Sequence, residues 1–450
     1  MSTKKRHTET YSVKKVLKGA SMYSLGDVLV KASGFFLIPL YTRVLTPADY
    51  GIVGYLQVFS GFLVVVLGFG FYGAQTRYYY EHRDDELAIG RFMFTINITT
   101  ILAFVVLCVP VIVYGSIRGW AIGSENIPFH PFMSITLGTV LLSVLNKFVT
   151  SSYRMKQKFL GATLIHIFTF LLTTSFTILL VVYFSQGALG RIAGNALGSL
   201  FIFIPIYYLY ARQFKPRFSK TALKYAVGFG FPIVIHLLVG TIHNSIDRLM
   251  LERYLPMSEL GIYTLGASVA AVLQMFVTAF NQAYQPSYYE LMESGGESRE
   301  THIVKTFKFW LVMLTLATCI GIVIGGPFLT IFAGSQFRDV SSIFPYLLLS
   351  VYAGSFYFFF SSPIFFYKKT HLLPLITGSS AVINILMNLL LIPLYGINGA
   401  AIATIISHVW ISVISYVMGN RLFKIKWPLL FMIASIFLVI LIFIVQINFL

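Results

Sequence analysis

The chain has 450 residues, 57% of them hydrophobic and 11% charged, with a formal net charge of +17. That charged share is less than half of what soluble domains carry, and many apolar runs reach about 20 residues, enough to cross a bilayer as a helix. A soluble multidomain protein is excluded. A transmembrane barrel is disfavoured, because its strands would alternate polar and apolar residues in pieces of about 10. The two cysteines, Cys108 and Cys319, fall inside apolar segments without metal-ligand spacing and read as small core residues.

Residues 1–20 are polar and basic. The apolar segment that follows is too long for a signal-peptide core and lacks a convincing cleavage site, so 1–20 reads as a cytoplasmic tail. Membrane helices are expected at 21–42, 48–71, 89–113, 131–153, 159–184 and 187–210, forming a first lobe at 21–210. A second lobe at 223–420 holds 223–246, 259–283, 303–330, 339–365, 372–394 and 397–420. An additional segment at 428–448 has no partner in the first half.

The first lobe repeats in the second. Arg43-Val-Leu-Thr-Pro-Ala-Asp49-Tyr-Gly51-Ile returns 210 residues later as Arg253-Tyr-Leu-Pro-Met-Ser-Glu259-Leu-Gly261-Ile. At the same offset Gln75-x-x-Tyr78-Tyr79 returns as Gln285-x-x-Tyr288-Tyr289. A weaker echo, Gly187-x-x-Gly190 and Gly396-x-x-Gly399, opens the sixth and twelfth segments. Six helices per half is an even number, so the repeat is parallel, about an axis along the membrane normal.

Lys and Arg decide the orientation. With the N-terminus in the cytoplasm, 25 of the 33 fall on inner segments and 6 on outer ends. This is a strong positive-inside asymmetry, and it accounts for the basic charge without nucleic acid.

Leu45-Thr-Pro-Ala-Asp49-Tyr50-Gly51 after a first helix resembles the pattern of the polysaccharide transporters, the oligosaccharide flippases of the multidrug/oligosaccharidyl-lipid/polysaccharide exporter superfamily. Ser245-Ile-Asp247-Arg248-Leu-Met-Leu, Phe332-Ala-Gly334-Ser-Gln-Phe and Tyr395-Gly-Ile-Asn-Gly399-Ala-Ala401 are similar to that family as well. The resemblance covers nearly the whole chain. It implies an all-α integral membrane fold, two six-helix lobes around a central cavity. Members often have 12 or 14 helices, and the 13 expected here depart from that.

The resemblance further implies flipping of undecaprenyl-pyrophosphate-linked oligosaccharide across the bacterial cytoplasmic membrane, for surface polysaccharide. The implied partners are that substrate, membrane lipids and other polysaccharide-assembly proteins, with no nucleic acid and the chain itself a monomer. Such a substrate combines an anionic pyrophosphate, a polar sugar and an apolar tail. Its head calls for cations and hydrogen-bonding groups along an internal path.

In the first segment Ala20, Ser24, Asp27, Lys31 and Gly34 share one helical face. An uncompensated charge at mid-bilayer costs roughly 2.5–3.5 kcal/mol, so Lys31 is expected to face the interior as the phosphate cation, with Asp27 setting its charge state. A simple Asp27–Lys31 pair locking the helix is the alternative. In the seventh segment Pro232, His236, Gly240, His243 and Asp247 share a face, and Gly228-Phe-Gly230-Phe-Pro232 should bend. Asp27, His243, Asp247 and Pro232 are thus candidates for coupling or gating. His236 reads rather as bonded to a neighbouring helix.

Lys147 either meets pyrophosphate or snorkels to the inner interface. Arg248 is a candidate for receiving phosphate at the outer end. Arg43 and Arg253 read as staples paired to Asp49 and Glu259. Asn281, Asn384 and Asn388 suit sugar hydroxyls but also suit helix–helix adhesion. No Gly-Lys dipeptide exists, hence no phosphate-binding loop for ATP and no cofactor is expected. The energy would come from an H+ or Na+ gradient, the membrane potential or product removal.

Two rival functions make different demands on the sequence. A cation-coupled multidrug exporter of the same superfamily would need more intramembrane acids. A membrane-embedded polymerase or ligase would need a substantial outer loop.

Overall fold

The computed structural model describes residues 34–119, 127–296 and 298–449, and among them all regular structure is helical. The helices in chain order are α1 (Ile38–Val44), α2 (Pro47–Gly68), α3 (Phe71–Glu81), α4 (Glu86–Arg118), α5 (Ser134–Met155), α6 (Phe159–Ile178) and α7 (Gly187–Ala211). They continue with α8 (Lys220–Tyr254), α9 (Met257–Ser294), α10 (Arg299–Phe332), α11 (Val340–Phe360), α12 (Leu373–Leu422) and α13 (Leu429–Phe449). Among the described residues eleven stretches are long and apolar enough to cross a membrane. One of them contains α12, which is two helices meeting at Gly396 (φ 57°, ψ −134°).

The start of α2 explains the motif Leu45-Thr-Pro-Ala-Asp49-Tyr-Gly51. Pro47 opens the helix, where its missing N–H costs nothing. The Thr46 backbone N–H and hydroxyl both donate to Asp49 Oδ2, at 2.9 and 2.7 Å, and the Asp49 N–H donates back to Thr46 Oγ1 at 3.1 Å. This is a reciprocal capping box. The acid therefore serves its own helix end, and Arg43 and Arg253 are both exposed side chains. The contact between the two copies is made by glycine packing. A Cβ on Gly51 would strike the Met257 carbonyl and lie 3.2 Å from the Gly261 nitrogen. A Cβ on Gly261 would strike the Pro47 carbonyl and lie 3.0 Å from the Gly51 nitrogen. The two copies of the repeat cross each other at their glycines, backbone against backbone. Phe337 of the Gly334 motif packs edge-on against Tyr50 at 5.3 Å, and the Gly334 N–H donates to Thr42 Oγ1 at 3.0 Å.

The weaker echo is one turn built twice. Gly187 and Gly396 both take left-handed φ, at 54° and 57°, which glycine adopts without a Cβ penalty. The second glycine of each copy then lies against the preceding helix: a Cβ on Gly190 would be 3.0 Å from the Leu180 carbonyl, and one on Gly399 3.0 Å from the Ile392 nitrogen.

Contacts divide the chain into two compact units. Leu63–Trp120 and Phe129–Val234 belong to one; Ile38–Phe62 and Ile235–Leu450 belong to the other. The boundary cuts α2 after Phe62 and α8 after Val234, two residues beyond Pro232.

Within the first unit, α2 breaks at Phe69 and Gly70, whose φ values are 44° and 65°. Gly230 of α8 lies against this break, its Cβ position 3.3 Å from the Phe69 ring and obstructed by the Phe69 carbonyl. The Gly228–Pro232 stretch stays helical in α8, and Gly230 supplies close approach there. Within the second unit, α13 forms as the thirteenth segment anticipated. Ser435 Oγ ties it to Thr315 of α10 at 2.6 Å and to Tyr352 of α11 at 2.7 Å. Beside it an apolar cleft of about 350 Å³ runs between α11, α12 and α13, lined by Tyr352, Phe356, Val409, Tyr416, Met432 and Ile436.

Candidate functional site

Polar side chains inside an apolar helical protein collect in each unit, and the two collections differ. In the first unit Gln75 of α3 is 1% exposed. Its amide donates to the Phe148 carbonyl at 3.3 Å and accepts from the Tyr210 hydroxyl at 3.3 Å. Asn97 of α4 donates to Tyr210 at 3.1 Å and accepts from Tyr207 at 3.1 Å. Thr76 and Ser151 meet at 2.9 Å. These are neutral groups, and they join α3, α4, α5 and α7.

At the end of α3 the Arg77 Nε donates to Glu81 at 2.8 Å, and the Tyr225 hydroxyl of α8 donates to the same carboxylate at 2.7 Å. The Arg77 guanidinium also lies over the Phe229 ring at 5.6 Å. Lys147 of α5 has an exposed side chain, with its ammonium over the Tyr72 ring at 5.9 Å.

In the second unit the C-terminal half of α8 carries His243, Asp247 and Arg248. Helical spacing places His243 and Asp247 one turn apart on the same face. Asp247 is 7% exposed and accepts from the Tyr263 hydroxyl of α9 and from the Arg248 N–H at 2.8 Å. Among the described residues the buried Arg248 Nε has no hydrogen-bond partner. His243 faces His408 of α12, ring centroids 5.1 Å apart, and the buried His243 Nδ1 likewise has no partner among the described residues. The His408 Nδ1 lies 2.7 Å from the Ser350 carbonyl of α11. A carbonyl only accepts, so this nitrogen carries the proton.

Asn384 and Asn388 lie on the first limb of α12, 1% and 0% exposed. The Asn388 amide donates to Asn384 at 3.0 Å, and Asn384 donates to Ser407 Oγ on the second limb at 3.2 Å. Their bonds join the two limbs across the Gly396 break. Asn281 of α9 keeps a buried Oδ1 without a partner among the described residues. Pro232 and His236 are exposed on α8.

The structure thus groups His243, Asp247 and Arg248 and adds Tyr263, Ser350 and His408, which sequence reasoning missed. A histidine inside the apolar twelfth segment was the available signal for His408. Asp27 and Lys31 lie outside the described residues. No group of three or more His, Cys, Asp or Glu among the described residues could hold a metal ion.

Comparison with known proteins agrees with this architecture. A family profile described as "Polysaccharide biosynthesis protein" matches residues 16–292. A Lsg locus protein of Haemophilus influenzae is 26% identical over 418 residues, covering 91% of this chain and 99% of its own. Among solved structures, the lipid II flippase MurJ in an inward closed conformation superposes with a TM-score of 0.68 at 16% identity, covering 94% of this chain and 97% of that one. An inward-facing multidrug resistance MATE family transporter of the MOP superfamily gives 0.66 at 14% identity, over 92% and 96%. At such identities the likeness is one of fold.

Proposed function

Because the chain belongs to the family of polysaccharide biosynthesis proteins, with the fold of the flippases and exporters, we propose that it flips lipid-linked oligosaccharide across a membrane. The substrate class is an undecaprenyl-pyrophosphate-linked glycan. The membrane is the bacterial cytoplasmic membrane, with the N-terminus inside.

The observation that carries this reading is the buried Arg248 Nε of the second unit, which has no hydrogen-bond partner among the described residues. Burying such a group without a partner costs about 1–3 kcal/mol, more where the group is charged. A ligand that brings an anion offsets that cost, and a sugar pyrophosphate brings one. Lys147, exposed over Tyr72, offers a further cation. The apolar cleft beside α13 suits an isoprenoid tail, which otherwise stays in lipid. α8 is shared between the two compact units and contains Pro232 near their boundary, so it is the helix on which alternating access would bend.

The test is a strain lacking the gene. It should accumulate lipid-linked oligosaccharide facing the cytoplasm and lose surface glycan. The wild-type gene should restore the glycan, and R248A should restore at most a tenth of it, a loss of about 1.4 kcal/mol or more, while still inserting in the membrane. Restored drug resistance without any change in glycan would favour the exporter reading instead.

A further inference from the structure

The cleft between α11, α12 and α13 runs inward from a basic junction. Its lining extends from Phe360 to Leu349 on α11, from Tyr416 to Ile405 on α12 and from Leu429 to Ile440 on α13. Each stretch is about three helical turns, or about 16 Å. That is close to half of a hydrocarbon core of about 30 Å, the depth of one leaflet. Tyr352 and Ser412, which line the cleft, are already engaged: Tyr352 is bonded to Ser435 at 2.7 Å, and Ser412 donates to the Ala353 carbonyl at 2.7 Å. Apart from Tyr416 at the mouth, the other lining side chains are hydrocarbon. Such a surface fits an apolar chain.

Residues 423–428 join α12 to α13 and stand at that mouth. Phe360 packs edge-on against Tyr416 at 5.3 Å and against Trp427 at 5.0 Å. The junction is held in place. The Ile425 N–H donates to Asn420 Oδ1 at 2.9 Å, the Lys426 N–H donates to Glu300 at 2.6 Å, and Trp427 packs edge-on against Phe307 at 4.9 Å. Arg421, Lys424 and Lys426 have exposed side chains on or beside this fixed backbone. Lys308 of α10 adds a cation over the Phe431 ring of α13 at 6.0 Å. In the orientation read from Lys and Arg, the junction faces the cytoplasm.

We propose that the cleft binds an anionic glycerophospholipid of the adjoining leaflet, with one acyl chain along the cleft and the phosphate on Arg421, Lys424 and Lys426. Charge and length select this occupant together. A cation cluster at a membrane surface favours an anionic headgroup over a zwitterionic one. A chain that spans one leaflet from a phosphate at that surface fills the cleft from mouth to end. The phosphate of a lipid-linked saccharide is assigned to Arg248, so it leaves these cations free. While the phospholipid is in place, the isoprenoid tail of the substrate stays in lipid. The site itself does not rest on the flippase reading.

The first test is native mass spectrometry of the full chain, stripped of lipid in detergent. It is offered phosphatidylglycerol, phosphatidylcholine with the same acyl chains, or undecaprenyl phosphate. One phosphatidylglycerol should be held at least about tenfold more tightly than phosphatidylcholine, and R421Q/K424Q/K426Q should abolish the preference. K368Q/K369Q, which removes cations from another inner loop, should keep it. The second test locates the chain. Phosphatidylglycerol with a photoreactive acyl chain, in phosphatidylcholine nanodiscs, should label peptides 405–416 and 429–440. M432W, which fills the cleft, should lose most of that label.

Equal affinity for phosphatidylcholine, a preference that survives the triple substitution, or label outside the cleft overturns the proposal. So does tighter binding of undecaprenyl phosphate than of phosphatidylglycerol, which would give the cleft to the substrate's own tail. None of these readouts requires transport. A chain that binds phosphatidylglycerol here yet moves no lipid-linked saccharide refutes the flippase reading and leaves the lipid site standing.

Discussion

The polar network of the first unit and that of the second are built from different chemistry. Gln75, Asn97, Tyr207 and Tyr210 are neutral and bonded to one another or to backbone. His243, Asp247, Arg248 and His408 are ionisable, and two of their nitrogens have no partner among the described residues. A fully satisfied neutral network fixes helices and has no reason to change state. A charged, partly satisfied one is costly unless another state, proton or ligand completes it. The difference separates frame from moving part: α3, α4, α5 and α7 are held, and the C-terminal half of α8 is poised.

Three substitutions can break that distinction. The largest effect is expected at Asp247. Asp247→Ala removes the acceptor of Tyr263 and the counter-charge beside Arg248 and the histidine pair. Hydrogen bonds to charged groups are worth up to about 3 kcal/mol, so the flipping rate in proteoliposomes should fall about a hundredfold. Gel filtration should still show folded protein. A mere stability loss with normal flipping would move Asp247 into the frame.

Gly261→Val should come next, and it sharpens the comparison because Gly261 lies in the second unit but outside its titratable network. The added side chain meets the Pro47 carbonyl. Overpacking of this kind costs about 1–3 kcal/mol, read as a lower melting temperature in detergent. An unchanged melting temperature would mean that the crossing of the two repeats is loose.

Gln75→Leu should have the smallest effect. It removes the acceptor of the Tyr210 hydroxyl and the side-chain donor to the Phe148 carbonyl, at about 1–2 kcal/mol of stability. Flipping per folded molecule should stay within about twofold of wild type. A larger transport defect would erase the contrast between the two networks.

The membrane helices were legible because hydropathy records burial in lipid residue by residue. Even the thirteenth segment, without a counterpart in the repeat, forms as α13. The repeat was legible too, but not how its copies meet. Asp49 also caps α2, and Gly51, which carries no side chain to notice, makes the contact between the copies. Gln75 was visible as a repeated letter, yet its bonds to Phe148 and Tyr210 depend on how distant helices pack. The stripe of His243 and Asp247 followed from helical spacing. Its partners Tyr263, Ser350 and His408 come from three other helices, and one-dimensional periodicity says nothing about which helices adjoin.

The central claim is that the chain carries a lipid-linked saccharide from one leaflet to the other. The direct measurement is a proteoliposome assay with an undecaprenyl-pyrophosphate-linked oligosaccharide placed in both leaflets and a saccharide-modifying enzyme added outside. With the protein present, nearly all of the substrate should become accessible to the enzyme; without it, only the outer leaflet's share should. If the accessible fraction is the same with and without folded protein, the account is contradicted.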